Sequence, residues 1–548
     1  MFTTCKSLLF GHFEGLRKMA QSLCCLVVQL RFFNFNKFMG MCFVGICFSV
    51  TGCNSLMRNE SHAYVPMESI ESGKKLAEKH CQSCHQLPDP ALLDAKTWET
   101  GALPAMGPRL GIFNYKGQSY TFRGDEQMMG PGYFAGKPKV TQEEWQSIVD
   151  YYTATSPDQL QAQHRSTKIS LQLPLFGVLQ PKLNYTNAQS CFVKVREHAE
   201  APVVVSDAIT LKTYFLDSLL TPVDSLTTDG PLVNIEFSGN EAVVCDVGIL
   251  YPNDEAHGSA VHIKHSMGKW KFDSTSLFNG LRRPLQVSTA DINNDGKTDY
   301  LVCEYGYLNG SFSWMENRGN NQYEKHILRQ SPGVLNAYPF DYNKDGKTDI
   351  IALFAQGEEG IFLYTNNGNG RFEERELLRF PAVYGSSYFE LADFNKDGLP
   401  DILYTCGDNA DYTSVLKPYH GVYIFLNNGD KGFQQSFFYP IHGCYKAMAR
   451  DFDKDGEIDL ATIAYYADFA TQPEEGFVYL ENKGDLKFSA YTSPQLVAGR
   501  WITMDAGDID GWADIVLGNF VQPSKLANPA ITWSHTSPIM ILKNKGRQ

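Results

Sequence analysis

Basic residues are the minority in this chain: 48 Lys+Arg stand against 61 Asp+Glu in 548 residues. A nucleic-acid partner requires a basic surface, so that class is excluded. A disulfide framework is missing as well. Of the 13 cysteines, five fall within residues 1–52, and the last five (Cys191, Cys245, Cys303, Cys406, Cys444) are odd in number and scattered. That pattern suits small buried hydrophobes in strands rather than cross-links. The apolar run 38–50 is too short to span a bilayer. The sequence has no nucleophile elbow, no zinc-protease helix and no dinucleotide glycine loop. The histidines around His257, His262 and His265 follow no metal-ligand spacing. The length exceeds one ordinary core, so two or more domains are expected.

The first fifty residues differ from the rest. Arg31 and Lys37 precede the apolar run, and small residues ending at Gly52-Cys53 follow it. This is the layout of a secretory signal over residues 1–52, with a short linker, 53–64, behind it. Val50-Thr51-Gly52-Cys53 resembles a bacterial lipoprotein box. The resemblance implies that Cys53 carries lipid and that the protein is anchored to a membrane in the cell envelope. Plain cleavage nearby is the alternative. Residues 1–30 do not read as a signal n-region, so the true start codon is expected further downstream. Removing residues 1–52 takes away Lys6, Arg17, Lys18, Arg31, Lys37 and Glu14. The remainder is more acidic still, which suits a secreted protein that binds cations.

Cys81-Gln82-Ser83-Cys84-His85 is a C-x-x-C-H string. Two thiols at this spacing add to haem vinyl groups, and the adjacent imidazole becomes an iron ligand. Zinc would need a second ligand pair nearby, and none follows. Upstream, Ile70, Leu76 and Ala77 share a helical face; downstream, Thr141-Gln-Glu-Glu144 is a capping box with Trp145, Ile148, Val149 and Tyr152 at helical spacing. Helix, C-x-x-C-H, irregular segment and helix together resemble a single-haem c-type cytochrome domain over residues 65–156. The resemblance implies one covalent haem c on Cys81 and Cys84, with iron held by His85 and a methionine. Met106 is the first choice, and Met129 and Met128 are second choices.

The rest of the chain repeats. Four loops share one pattern of oxygen-bearing residues at positions 1, 3, 5 and 9, glycine at 6, and a position 7 that offers its backbone carbonyl. They are Asp291, Asn293, Asp295, Lys297, Asp299; Asp341, Asn343, Asp345, Lys347, Asp349; Asp393, Asn395, Asp397, Leu399, Asp401; and Asp451, Asp453, Asp455, Glu457, Asp459. This is the chemistry of a calcium loop. The last carboxylate stands at position 9 rather than 12 and both flanks read as strands, so each loop is a hairpin turn closed by a hard cation, not an EF-hand. About four calcium ions are expected. A fifth loop, Asp508-Ile-Asp510-Gly511-Trp-Ala-Asp514, is two residues short.

The loops recur every 50 to 58 residues, a period suited to four-stranded propeller blades. A second marker accompanies them: an apolar strand ending in an Asn/Gly turn at Asn317, Asn367, Asn428 and Asn482. Both markers resemble the FG-GAP/VCBS repeats of integrin-like propellers over residues 285–546. Two further blades without aspartate loops, with second strands beginning near Val203 and Ala242, bring the expected number to seven in a propeller over residues 165–548. The expected fold class is multidomain, a small all-α domain followed by an all-β propeller. The last blade lacks its outer strand, and the segment from Lys168 to Leu175 is expected to supply it.

Arg283, Lys446 and Arg500, with Tyr388 and Trp501 close by in the repeat, mark one mouth of the ring as a place for an anion or a sugar. Ordinary snorkelling side chains are the competing reading. Three functions stay open. The main reading is a haem electron carrier, anchored to a membrane outside the cytoplasm, that docks an unidentified redox partner protein through the propeller. Another is a haem-coupled dehydrogenase acting on a sugar or alcohol at the mouth, in which case the chain is an oxidoreductase. The third is a calcium-dependent adhesion or polysaccharide-binding surface protein with haem as a redox accessory.

Overall fold

Seven sheets, each built on four antiparallel strands and one of them extended by a short parallel fifth, form a seven-bladed propeller. The computed structural model describes residues 58–546 apart from 84, 121–133, 135, 182, 184–186, 369, 410–413 and 522–531, and apart from the side chains of 274 and 275. The leader, Cys53, Cys84, Met128 and Met129 lie outside the described residues. Among the described residues, no helix is long and apolar enough to cross a membrane.

In each blade the second strand is buried on both faces, because the sheet is covered by its two neighbours. Asp299–Glu304, Asp349–Phe354, Asp401–Cys406 and Asp459–Ala464 are buried at every residue. This explains their apolar runs, which read like strands of a covered parallel sheet although the pairing is antiparallel. The outer strands alternate or expose most residues, as in Phe372–Arg379. Cys245, Cys303, Cys406 and Cys444 are buried in these sheets as small apolar groups, and burial pushes the thiols up, to about 12 for Cys406.

Ring closure differs from the expectation in its register. The segment after Lys168 splits between two blades. Ile169–Ser170 adds a short fifth strand to the sixth blade, parallel to Phe488–Tyr491. Phe176–Leu179 then supplies the outer strand of the seventh, antiparallel to Ile539–Asn544. The physical reason is apolar: Phe176 is 2% exposed and its ring packs edge-on to Phe452 and Tyr479, at 5.6 Å and 5.3 Å. Pro174 lies between the two strands, where a missing N–H is harmless.

N-terminal to the propeller lies a helical segment. Met67–His80 and Gln142–Thr155 are its two long helices, and Thr141 and Glu144 form the capping box at the start of the second. Gly73 lets the helices touch: a Cβ there would stand 1.8 Å from the Ser147 carbonyl oxygen. Ile70, Ala77, Trp145, Ile148 and Tyr152 form the shared core with Trp98, whose ring lies 4.4 Å from that of Tyr152.

The segment rests on the propeller through few but specific contacts. Val383 and Val415 pack against its core, and the Tyr419 hydroxyl lies 3.2 Å from the carbonyl oxygens of both Leu92 and Val383. The connection that follows is pinned by charge. Arg165 donates to the Pro440 carbonyl at 3.0 Å and pairs with Glu475, which is fully buried. Glu475 also accepts from His442 Nδ1 at 3.0 Å and from the Asp468 N–H at 3.1 Å.

Because Arg165 already balances Glu475, burial dominates at His442 and pushes its imidazole down to about 4. Arg165→Ala strands a buried carboxylate and is expected to cost about 3 kcal/mol in urea unfolding. The sign for His442 follows from linkage. The unfolded chain takes up a proton near pH 6.5 and the folded one only near 4, so this stability is complete above 6.5 and is lost as pH falls toward 4. An acid melting series should show that loss, and His442→Gln should flatten it.

Candidate functional site

The four aspartate loops lie on one end of the ring, between the first and second strands of the third to sixth blades. Their internal geometry is the same. The first Asp accepts the N–H groups of positions 5 and 6, as Asp341 does from Asp345 at 3.0 Å and Gly346 at 2.8 Å. Position 3 accepts from the N–H of position 5, and position 5 from that of position 7, at 2.9 Å each in the same loop. The turn needs two left-handed residues. Gly296, Gly346, Gly398 and Gly456 supply one at φ from 80° to 90°, and Asn294, Lys344, Lys396 and Lys454 the other at 56° to 61°. Holding three lysines in that region costs energy, of order 1 kcal/mol each. What it achieves is an inward-facing set of carboxylate and amide oxygens.

Position 9 plays a different part. Asp299, Asp349, Asp401 and Asp459 are completely buried. Each accepts an N–H from its own loop and, at 2.7 Å, the N–H of the asparagine that ends the third strand: Asn317, Asn366, Asn427 or Asn482. Burial pushes the Asp459 carboxyl up to about 7 against these donors. In the fourth loop Asp451, Asp453 and Asp459 bring carboxylate oxygens within 4.8 Å of one another, a donor set that fits a hard divalent cation. The first three loops carry Asn at position 3. In the first, the Asn293 amide nitrogen donates to Glu316 at 3.1 Å.

The fifth loop is closed from within the chain. Lys543 Nζ stands 2.8 Å from Asp510 and 2.7 Å from Asp514, so an ammonium holds the carboxylates that a metal would hold elsewhere. Neighbouring loops are also tied together: Asn294 donates to the Gly346 carbonyl at 3.1 Å, Thr348 to the Asp291 carbonyl at 3.1 Å, and Lys454 to the Gly511 carbonyl at 2.8 Å, while Lys396 pairs with Glu457.

A second acidic group was not legible in the sequence. Glu316, Glu324 and His326 converge because Glu316 lies opposite Glu324 and Trp314 opposite His326 in the outer strands of the third blade. Only the strand register brings them together. Arg318 already bridges both carboxylates, at 2.7 Å and 2.6 Å, and His326 pairs with Glu316 at 2.8 Å. The arrangement is a satisfied charge network as well as a candidate chelate.

In the helical segment, Cys81 follows the end of Met67–His80. His85 Nδ1 donates to the Gln86 carbonyl at 2.8 Å. A carbonyl can only accept, so this fixes the tautomer with Nε2 bare, the form a ring nitrogen needs in order to bind a metal. Met106 ends a short helix, Leu103–Met106, and packs with Cys81 against the same core. Thiol, imidazole and thioether are the donor types that a haem c takes.

The basic, aromatic mouth expected from Arg283, Lys446, Arg500, Tyr388 and Trp501 is corrected by burial. Arg500 is 3% exposed, donates to the Tyr465 carbonyl at 3.0 Å and lies over the Tyr465 ring at 4.3 Å. Trp501 is buried, with its indole N–H on the Leu496 carbonyl at 3.0 Å. Lys446 lies inside the channel, donating to the Met504 carbonyl at 2.7 Å beneath the ring of Tyr388. These groups hold blades together. Arg283 is half-buried and donates to the Leu250 and Gly306 carbonyls at 3.2 Å and 3.1 Å. His257, His262 and His265 do not converge; they meet Glu255, Tyr300 and Trp270 respectively.

If the loops bind calcium in the folded state only, chelation lowers the melting temperature of the propeller by linkage. Asp345→Ala and Asp397→Ala should each reproduce part of that loss in a thermal melt. Because Lys543 already closes it, the fifth loop should contribute nothing to the calcium response.

Among known proteins, residues 291–352 and 341–404 match the FG-GAP-like repeat family. The fold is also similar to two solved Saccharomyces cerevisiae chains, one in an assembly of Dbp5 with Nup159, Gle1, IP6 and ADP, the other Sqt1. The first is 11% identical with a TM-score of 0.39, covering 70% of this chain and 99% of that one. The second is 9% identical with a TM-score of 0.40, covering 67% and 99%. At these scores the likeness carries no argument. The chain thus carries FG-GAP repeats within a seven-bladed propeller.

Proposed function

We propose that this protein is a calcium-dependent binding or adhesion protein of the cell envelope, with the propeller as its binding body and one covalent haem c as a redox accessory. The observation that carries the reading is the set of four matching oxygen-lined turns at one end of the ring, the fourth with three carboxylates converged. Turns of this kind make a large β-surface rigid only when cation is present, which suits a protein that works where calcium is plentiful. Lipidation at Cys53 would hold it at a membrane. The ligand class that suits a propeller end is a carbohydrate or another small polar molecule.

The electron-carrier reading is kept as the second, on one observation: the His85 tautomer set by Gln86. Cys81 and Cys84 would hold the haem, with His85 and Met106 on the iron. The group would supply one-electron exchange when bound. This chain's part is to fix the imidazole, offer the thioether and shield one edge with the two long helices.

Two measurements separate the readings. Binding of the purified protein to insoluble polysaccharide, scored with calcium and with chelator, should fall in the chelated sample; equal retention in both would remove the calcium-dependent role. For the haem, Cys81→Ala with Cys84→Ala should abolish the haem stain on a denaturing gel. A stain that survives the double change would sink the assignment.

A further inference from the structure

The four aspartate loops share one backbone but not one charge. The first three hold three carboxylates each, with Lys297 in the first, Lys344 and Lys347 in the second and Lys396 in the third. The fourth holds five, Asp451, Asp453, Asp455, Glu457 and Asp459, against the single Lys454. Charge count and rigidity of the ligand set are what tune the affinity of an oxygen-lined turn for a divalent cation.

The place of each lysine sharpens the contrast. In the first two loops position 7 is a lysine that turns back on its own loop: Lys297 Nζ lies 2.7 Å from Asp295 Oδ2, and Lys347 Nζ 2.7 Å from Asp345 Oδ2. An ammonium therefore sits on the position-5 carboxylate, as Lys543 does on Asp510 and Asp514, and competes with an entering ion. In the third loop the position-3 amide takes that oxygen, Asn395 donating to Asp397 Oδ2 at 2.9 Å. The fourth loop has a glutamate at position 7 and a carboxylate at position 3. Lys396 of the preceding loop pairs with that Glu457, outside the converged trio of Asp451, Asp453 and Asp459. The trio is sunk into the fold, with Asp453 4% exposed and Asp459 fully buried. Carboxylates brought this close in a buried setting favour a divalent cation between them.

The fourth loop is also the one that ring closure bears on. Its second residue, Phe452, is fully buried, and its ring meets that of Phe176, on the closing strand, edge-on at 5.6 Å. The Phe452 carbonyl accepts the Asn544 amide at 2.8 Å, at the end of the strand with which Phe176–Leu179 pairs. The Phe452 N–H in turn donates to Asp459 at 3.3 Å, so the residue gripped by both closing strands is one bond from the trio. Lys454 donates to the Gly511 carbonyl at 2.8 Å and lies over the Trp512 ring at 4.4 Å, which ties in the fifth loop. The first loop has the corresponding bond, from Asn366 to the Ile292 carbonyl, but there the neighbouring blade is built from four strands consecutive in the chain.

We infer that the fourth loop is the high-affinity cation site of the propeller, and that the ion bound there controls the latch of Phe176–Leu179 on Ile539–Asn544 while the other three loops fill later and more weakly. The inference rests on the calcium-dependent reading of the propeller and names the turn that governs it. Filling the trio fixes Asp459 and, through its bond to the Phe452 N–H, the residue against which Phe176 and Asn544 pack. A protein so built keeps its ring shut at calcium levels that leave the first two loops empty.

The test is calcium titration by calorimetry on the chelator-stripped full chain, paired with hydrogen exchange read at residues 176–179 and 539–544. The isotherm should resolve one site at least about tenfold tighter than the rest. Exchange at both strands should slow once that site alone is filled. Asp453→Asn should abolish the tight site and leave both strands exchanging as in the stripped protein. Asp345→Asn, in the second loop, should remove one weak site and leave the strands protected. If Asp453→Asn does not fold by thermal melt, Lys347→Met is read in its place. Removing that ammonium should tighten one weak site about threefold, the scale of an exposed ion pair, with strand protection still complete at one equivalent. Four equal sites, a tight site that survives Asp453→Asn, unchanged weak sites in Lys347→Met, or strand protection that waits for the weak sites overturns the assignment. In each of these cases calcium binding itself stands. No calcium uptake by the stripped chain overturns this inference together with the calcium-dependent reading.

Discussion

The propeller depends on one buried carboxylate per repeat. Asp299, Asp349, Asp401, Asp459 and, in the seventh blade, Asp514 each accept the N–H of the asparagine ending the third strand, at 2.7 to 2.8 Å. That asparagine returns the bond: its amide nitrogen donates to the carbonyl just before the Asp, at 3.0 to 3.1 Å. Its side-chain oxygen caps the glycine of the turn, at 2.9 to 3.0 Å. The metal turn and the hairpin turn beside it are thus one unit, and a fully buried charge is tolerated because each of its oxygens has a donor. In three blades the same asparagine reaches further, Asn427 to the Tyr342 hydroxyl at 3.5 Å. Asn366 donates to the Ile292 carbonyl and Asn544 to that of Phe452, both at 2.8 Å, locking each blade to the one before it.

At the axis, the inner strands are tied across blades by polar side chains instead of apolar contact. Gln286 accepts the Ala337 N–H at 2.7 Å, Glu236 that of Thr289 at 2.9 Å and Asp505 that of Val195 at 2.7 Å. Inner strands cannot satisfy both edges with sheet bonds alone, so their side chains complete the pairing. The result is a channel filled with committed groups such as Lys446, Tyr388 and Tyr338.

Periodicity made the propeller legible. Four aspartate loops and four Asn/Gly turns at one spacing announce a four-stranded repeat, and the short fifth loop announces an exception, which the structure explains by Lys543. Two things were beyond a linear reading. Burial at the mouth depends on how far neighbouring blades overhang a strand start, so Arg500 and Trp501 looked exposed when they are core. Convergence across strands depends on register, so Glu316, Glu324 and His326 could not be seen together. The C-x-x-C-H string was legible from its spacing. What the structure adds is the Gln86 carbonyl, a second partner that no motif encodes.

The latch between Phe176–Leu179 and Ile539–Asn544 joins segments more than 350 residues apart. A chain emerging vectorially has its helical segment and six blades in hand before the last strand exists, and until then the edge that will receive it stays open. Completion is a late, long-range event in folding, slow for reasons of loop closure rather than of local propensity. Once shut, the ring sets the first blade against the seventh, so that no blade is left at an open end of the stack.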